Sequence, residues 1–142
     1  VMIRKHKIPM GTKGSRVRRK LSRVYDVHMQ FATKLNVGYR GGVMVLVKKG
    51  LYSAPSGIIK STTKLWIAVE VRINGINVLL VTLYLPPDNR AENYQTMYEV
   101  AQCIRAYRAP YLVTGDFNDS PEVIARCNDT LNPRCWSQIT RT

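Results

Sequence analysis

The sequence predicts an α+β domain with layered sheets, and three observations support this prediction. Asn74 and Gly75 separate two β-rich segments, residues 64–73 and 76–85, and Asn-Gly between such segments is the strongest short signal of a β-hairpin. The second segment is apolar on both faces, as expected for a strand in the middle of a layered fold. A helical segment and a further apolar strand at residues 111–117 follow, so the two strands are expected to be neighbours in one sheet.

The helix between these strands is predicted over about residues 89–108. Asn89 and Glu92 have the spacing of a capping box at its start. One apolar stripe of an amphipathic helix is predicted from residues that recur at helical intervals, namely Tyr94, Met97, Tyr98, Ala101 and Ile104.

Other segments carry shorter signals. From Gly41 the stretch "GGVMVLVKKGL" predicts a buried strand that begins after two glycines. Ser120 and Pro121 are typical of the start of a short helix, here running to about Cys127. A short helix is also predicted within residues 24–39, where four apolar residues have helix-like spacing: Val24, Val27, Phe31 and Leu35.

Positive charge is concentrated in the N-terminal half of the chain. The net charge is +13, and residues 1–64 hold fifteen Lys and Arg against one acid, Asp26, whereas residues 65–142 hold seven basic and eight acidic residues. This asymmetry predicts a polyanionic partner, most often nucleic acid and less often an anionic membrane. A basic segment that only confers solubility is the alternative.

Residues 1–23 contain nine Lys and Arg and little apolar periodicity. We expect them to form an extended basic arm that becomes ordered only against a partner, followed by a folded domain over residues 24–142. The expected nucleic-acid contacts are the basic residues that cluster in this arm: Arg4, Lys5, Lys7, Arg16, Arg18, Arg19, Lys20 and Arg23.

The three cysteines, Cys103, Cys127 and Cys135, form no CxxC pair. Such a sparse, odd set predicts reduced thiols in an intracellular protein. No apolar run reaches the length of about 18 residues that a transmembrane helix needs. The basic N-terminus is compatible with an organellar address, such as the mitochondrion, and equally with nucleic-acid binding in the nucleus.

Three motifs follow one another in an order that is typical of one superfamily. They are the Gly-Gly-led strand "RGGVMVLVKKGL", the strand "VTLYLPP" with its Tyr-x-Pro end, and, after a helix, the strand "LVTGDFN". Over about residues 40–125 the chain resembles the endonuclease/exonuclease/phosphatase superfamily, in particular the endonuclease domains of non-LTR retrotransposons and abasic-site endonucleases. The resemblance implies a four-layered α/β/β/α sandwich, of which this chain carries a part.

The resemblance also implies roles for three residues. Asp116 corresponds to an Asp that orients or activates the attacking water, and Asn118 to an Asn that helps to hold the scissile phosphate. Tyr84 corresponds to a Tyr whose hydroxyl contacts that phosphate. Asp116 and Asn118 are two residues apart, so their side chains leave the same face of a continuing strand. Mg²⁺ is the cofactor implied for an active chain.

The sequence departs from the family's pattern where the family places a metal-binding Glu near the N-terminus and a His near the C-terminus. No Glu precedes Glu70, and the only two histidines are His6 and His28. No set of metal ligands can therefore be assigned, and we expect this chain alone to cleave nucleic acid poorly or not at all in Mg²⁺.

Two functions remain open at this point. The first is a metal-dependent phosphodiesterase, an endonuclease, that acts on DNA or RNA. The second is an inactive relic that serves as a structural RNA-binding subunit of a ribonucleoprotein or another large assembly with protein partners. A longer reading frame with a Glu upstream and a His downstream would favour the first.

Overall fold

The structure is a computed structural model and describes residues 1–87 and 89–118. Nine strands and two helices lie within these residues. In chain order they are β1 (Met2–Arg4), α1 (Thr12–Leu21), β2 (Tyr25–Gln30), β3 (Thr33–Lys34), β4 (Tyr39–Arg40), β5 (Val43–Lys48), β6 (Ser53–Pro55), β7 (Trp66–Ile73), β8 (Ile76–Leu85), α2 (Arg90–Tyr107) and β9 (Tyr111–Phe117).

The larger strands form two sheets. The first has the order β1-β5-β2, with both outer strands antiparallel to β5. The second has the order β6-β7-β8-β9. In this sheet the β8–β9 pair is parallel, as a strand–helix–strand connection through α2 requires. Strands β3 and β4 form a short separate pair.

The two sheets pack face to face through aliphatic side chains. Val45 and Val47 of β5 contact a buried cluster that includes Val69 and Val71 of β7. Successive side chains of a strand point to opposite faces, so one alternating set of β5 residues faces the second sheet and the other set faces outward. The inter-sheet layer is therefore a core that contains β-branched residues from both sheets.

One helix covers the outer face of each sheet. Met44 and Leu46 of β5 lie in a cluster against which Leu21 of α1 packs. On the other side of the molecule, Val100 of α2 shares the largest buried cluster with Leu83 of β8. The layers are thus α1, sheet, sheet and α2, so the prediction of an α+β, four-layered α/β/β/α sandwich is confirmed.

Two local predictions are also confirmed. Asn74 and Gly75 form the turn between β7 and β8 with φ values of 51° and 77°, the left-handed conformations that this hairpin turn requires. At the start of α2, Asn89 Oδ1 accepts a hydrogen bond from Glu92 N at 3.2 Å, and Asn89 Nδ2 donates to Glu92 Oε2 at 2.8 Å. The capping pair therefore fixes where α2 begins.

The extended basic arm expected over residues 1–23 is not confirmed. Residues of β1 pair with Val43, Met44 and Val45 of β5, and residues 12–21 form α1. The reason is that the backbone and a few apolar side chains of this segment pack on the first sheet, while the charged side chains remain in solvent. All eight cations expected to bind nucleic acid are exposed.

The short helix expected within residues 24–39 is wrong. Residues 25–30 form β2, which pairs antiparallel with β5 from Tyr25 opposite Lys48 to Gln30 opposite Val43. The helix-like spacing is coincidental, because Val24 is exposed at the end of the preceding turn. A long-range partner strand decides the conformation of this segment.

The predicted stripe of α2 is divided between core and surface. Met97, Ala101 and Ile104 are buried, whereas Tyr94 and Tyr98 are 49% and 56% exposed. The helix that was predicted to begin at Ser120 and to end near Cys127 lies outside the described residues, as does Cys135. Cys103 is a free, buried thiol.

Candidate functional site

The candidate site lies where the parallel strands β8 and β9 end. Tyr84 is directly opposite Asp116 in the register of this pair, and Leu85 is opposite Phe117. Carboxyl ends of parallel neighbours meet at the same edge of a sheet, so the two motifs that the sequence places far apart become adjacent. The register thus brings Tyr84 and Asp116 together at one edge of the sheet.

Asn118 follows the end of β9 and bridges to β8. Its amide Nδ2 donates a hydrogen bond to the carbonyl oxygen of Leu85 at 3.1 Å. A primary amide carries two N–H groups, so this bond uses one donor and leaves the second available for another acceptor. Asn118 is exposed and Asp116 is half-buried, so solvent reaches both side chains.

Tyr84 is held rigidly at the end of β8. Its side chain is only 4% exposed and packs with Val43 and Leu65. The neighbouring Leu83 and Leu85 belong to the cluster beneath α2, so Tyr84 points to the opposite face, toward the first sheet. The Lys5 ammonium lies 5.5 Å from the centroid of the Tyr84 ring, a distance typical of a cation–π contact.

The N-terminal segment runs across this edge of the sheet. Arg4 donates a hydrogen bond from Nη1 to the carbonyl oxygen of Gly115, the residue before Asp116. His6 N and Lys7 N then donate to the carbonyl oxygens of Gly42 and Gly41 at 3.1 Å and 3.0 Å. The Arg4 side chain and the backbone of His6 and Lys7 are thereby fixed beside the candidate site, and Lys5 lies between them.

The two glycines before β5 make this approach possible. Gly41 and Gly42 have φ values of 74° and 86°, which side chains with a Cβ adopt only with strain. A Cβ at Gly42 would lie 2.5 Å from Cε1 of His6. Gly42 therefore leaves the space in which the His6 ring packs, and Gly41 borders Leu65 and Tyr84.

His6 is a residue that sequence reasoning does not single out, since a lone His between two Lys forms no pattern. Its Nδ1 accepts a hydrogen bond from Ile8 N at 2.9 Å. Burial lowers the pKa of His6 below its usual value, and the backbone carbonyl groups of Val43 and Gln30 oppose this effect without overcoming it. The ring is therefore neutral at pH 7 and serves to shape the segment that holds Lys5.

Two polar contacts anchor the chain on either side of the connection between β8 and α2. Arg40 forms an ion pair with Glu92 at 2.9 Å, which joins the end of β4 to the first turn of α2. Asn93 Nδ2 donates to the carbonyl oxygen of Pro86 at 2.9 Å. The second contact places Pro86, which follows Leu85, against the first turn of α2.

The other expected nucleic-acid contacts lie in a different layer. Arg16, Arg18, Arg19 and Lys20 are on α1, and Arg23 follows it. Because α1 covers the outer face of the first sheet, that sheet separates these cations from Asp116. The eight cations therefore form two groups: a site group of Arg4, Lys5 and Lys7, and an α1 group of Arg16, Arg18, Arg19, Lys20 and Arg23.

Asp116 and Asn118 offer oxygen atoms of the kind that Mg²⁺ prefers. Within residues 1–87 and 89–118, however, no three His, Cys, Asp or Glu side chains are grouped so that they could hold a metal ion. The described residues therefore do not by themselves make a Mg²⁺ site. The two donors would need further oxygen ligands from water, from substrate or from residues outside these ranges.

The sequence model of the Endonuclease/Exonuclease/phosphatase family matches residues 10–137, which is most of the chain. The chain belongs to this family. Members of the family are generally metal-dependent. No curated protein matches the chain.

Solved structures support the same fold. The endonuclease domain of TRAS1, a telomere-specific non-LTR retrotransposon, matches 74% of the chain and 51% of its own length at 16% identity and a TM-score of 0.56. Humanised D. rerio TDP2 matches 89% and 55% at 19% identity and 0.57. The human Nocturnin catalytic domain matches 96% and 62% at 16% identity and 0.57.

The chain thus spans between about half and three fifths of each of these structures. At such identities the likeness concerns the fold.

In the part of the chain that the structure describes, neither helix has the length and apolar character that crossing a bilayer requires.

Proposed function

We propose that this chain binds the phosphodiester backbone of nucleic acid at the ends of β8 and β9, as part of an endonuclease-type phosphodiesterase. One observation carries the proposal. Tyr84 and Asp116 are register partners, Asn118 is bonded to the same strand end, and the site group of cations is fixed beside them. This combination offers a general base, a hydrogen-bond donor to phosphate and compensating positive charge at one edge of the sheet.

Each residue has a task in this proposal. Asp116 orients the attacking water and accepts its proton while the new oxygen–phosphorus bond forms and the bond to the leaving oxygen breaks. The free N–H of Asn118 donates to a non-bridging phosphate oxygen, and the Tyr84 hydroxyl is the third contact. Lys5 and Arg4 offset the negative charge of the phosphate, and the leaving oxygen is protonated by solvent.

The α1 group serves a flanking part of a long nucleic acid in this proposal. These five cations are exposed on another layer, and phosphate contacts need only charge at the surface. Binding without turnover would point to the second candidate, a structural RNA-binding subunit. Its support is the same basic surface, since charge contacts with the backbone do not depend on catalysis.

The experiment compares Asp116→Asn with wild type in nucleic-acid binding and cleavage. In EDTA the Asp116 carboxylate repels a bound phosphate, by about 0.7 kcal/mol for charges about 6 Å apart in water. Asp116→Asn is therefore expected to tighten binding by about threefold. With Mg²⁺ present, any cleavage by the chain is expected to fall about 10²- to 10⁴-fold in this variant.

Asp26→Asn is the matched control, because it removes the same charge from β2, where Asp26 pairs with Val47 at the far end of β5. It is expected to leave binding and cleavage unchanged. Equal effects of the two substitutions would mean that net charge alone governs binding, and cleavage that survives Asp116→Asn would remove Asp116 from the mechanism.

A further inference from the structure

The outer face of α2 carries two exposed aromatic side chains. Tyr94 and Tyr98 lie one helical turn apart and are 49% and 56% exposed. Gln102 continues the row by another turn, and its Nε2 donates a hydrogen bond to the Tyr98 hydroxyl at 2.8 Å. This bond orients the Tyr98 side chain on the surface of the helix.

The row leads into a groove at the end of α2. The groove is shallow and open to solvent, and it is lined by Ile59, Gln102, Arg105, Ala106 and Arg108. Arg105 lies in the last turn of α2, and Arg108 is its C-terminal cap. Both arginines are exposed, so their guanidinium groups can reach a ligand in the groove.

No acidic side chain of α2, the whole of which the structure describes, opposes this positive charge. Glu92 is paired with Arg40 at 2.9 Å. Glu99 is buried and accepts a hydrogen bond from Trp66 Nε1 at 2.7 Å. The exposed face therefore combines aromatic rings with guanidinium groups that no acid of α2 opposes, which complements an anion that also has flat apolar faces.

We propose that this face, the α2 strip of Tyr94, Tyr98, Gln102, Arg105 and Arg108, is a second nucleic-acid-binding surface that takes single-stranded nucleic acid. Unpaired bases expose ring faces that stack on tyrosines, and their phosphates bind arginines. A duplex keeps its bases stacked on one another and cannot use the rings in this way.

The α2 strip is distinct from the site at Asp116. The second sheet lies between them, because α2 packs on the face that carries Leu83 and Leu85, while Tyr84 points to the other face. The α2 strip begins near the end of β8 and follows the axis of α2 toward the start of β9. A single strand bound there would lie along the side of the domain.

The test measures the affinity of the 142-residue chain for a short labelled oligothymidylate by fluorescence anisotropy. Tyr94→Leu with Tyr98→Leu keeps apolar bulk and removes the rings, and is expected to weaken binding at least about fivefold per stacked ring. Tyr94→Phe with Tyr98→Phe keeps the rings and is expected to restore most of the affinity. Arg105→Gln with Arg108→Gln is expected to reduce the salt slope by about 1.4.

Tyr52→Leu is the matched control, since Tyr52 is 55% exposed and precedes β6, and its ring already has the Arg72 guanidinium at 5.8 Å. It is expected to bind like wild type. Heparin serves as a polyanion without bases, and the leucine pair is expected to bind it normally. The proposal is overturned if the leucine pair binds oligothymidylate as tightly as wild type, the result expected of a surface for a protein partner. It is also overturned if the leucine pair loses heparin binding to the same extent as oligothymidylate binding.

Discussion

Salt dependence of binding distinguishes the site group of cations from the α1 group. Arg4→Gln, Lys5→Gln and Lys7→Gln together remove three charges beside Tyr84 and Asp116. Arg18→Gln, Arg19→Gln and Lys20→Gln remove the same number of charges from the last turn of α1. The two triple variants therefore have equal net charge and differ only in the layer that they change.

The expected magnitude follows from counterion release. Each phosphate neutralised contributes about −0.7 to the log–log salt slope for a single strand and about −0.9 for duplex DNA. If all three site cations contact phosphates, the site variant loses about 2.1 of slope on a single strand and about 2.7 on a duplex. Between about 50 and 200 mM salt, a slope of 2.7 corresponds to about a 40-fold change in affinity.

Anisotropy titrations at several salt concentrations provide the assay, with a short hexanucleotide and a long duplex as ligands. All variants are made in the Tyr94→Leu, Tyr98→Leu background, which removes the stacking rings of the α2 strip. The hexanucleotide is too short to contact the site group and the α1 group at the same time. We therefore expect its affinity to become less salt-dependent in the site variant and to keep nearly the same salt slope in the α1 variant. On the long duplex both variants should lose slope. The reasoning is refuted if the α1 variant loses as much slope as the site variant on the hexanucleotide, provided that circular dichroism shows both folded.

Three further predictions concern the fold that holds the site. Gly42→Ala should destabilise the protein by about 1–3 kcal/mol in urea denaturation, because a Cβ at φ 86° would lie 2.5 Å from His6; an unchanged midpoint would mean that the His6 ring is not packed there. Glu99→Gln should cost about 1.5–3 kcal/mol, because the buried carboxylate accepts hydrogen bonds from Thr62, Trp66 and Gln95. Burial alone would raise the pKa of Glu99, but these hydrogen bonds outweigh burial and lower it. The contribution of Glu99 to folding stability is therefore present above about pH 4.5 and is lost as the pH falls through the lowered pKa of the folded state. In the Glu99→Gln variant, the loss of stability in acid should be smaller. Deletion of residues 1–23 should lower the melting temperature, since β1 pairs with β5 and α1 covers Met44 and Leu46; a truncated chain as stable as wild type would contradict this packing.

The sequence was most informative where local chemistry decides the structure. Asn-Gly at residues 74 and 75 predicts a turn because both positions tolerate positive φ, and Asn89 predicts the start of α2 because its side chain can cap a backbone N–H. That β8 and β9 are neighbours followed from the strand–helix–strand order, and the structure adds the register that places Tyr84 opposite Asp116.

Sequence reasoning failed where distant contacts decide. Residues 25–30 form β2 because β5 offers a ladder, and the spacing of Val24 and Val27 carries no information about that partner. The many charged side chains of residues 1–23 gave no indication of β1. This strand pairs with β5 through backbone hydrogen bonds, which do not depend on the side chains of Arg4 and its neighbours. The exposure of Tyr94 could not be foreseen either, because a tyrosine suits both a core and a surface.

The most direct test of the central claim is to locate a bound phosphodiester by NMR. A non-hydrolysable phosphorothioate dinucleotide is titrated into the isotope-labelled chain, and the backbone amide shifts are followed. We expect the largest shifts at Phe117 and Asn118, at the end of β9, and at Lys5 and His6, which cross that edge. Shifts confined to α1 or α2, with the amides of Phe117 and Asn118 unmoved, would contradict the claim that the ends of β8 and β9 form the phosphodiester site.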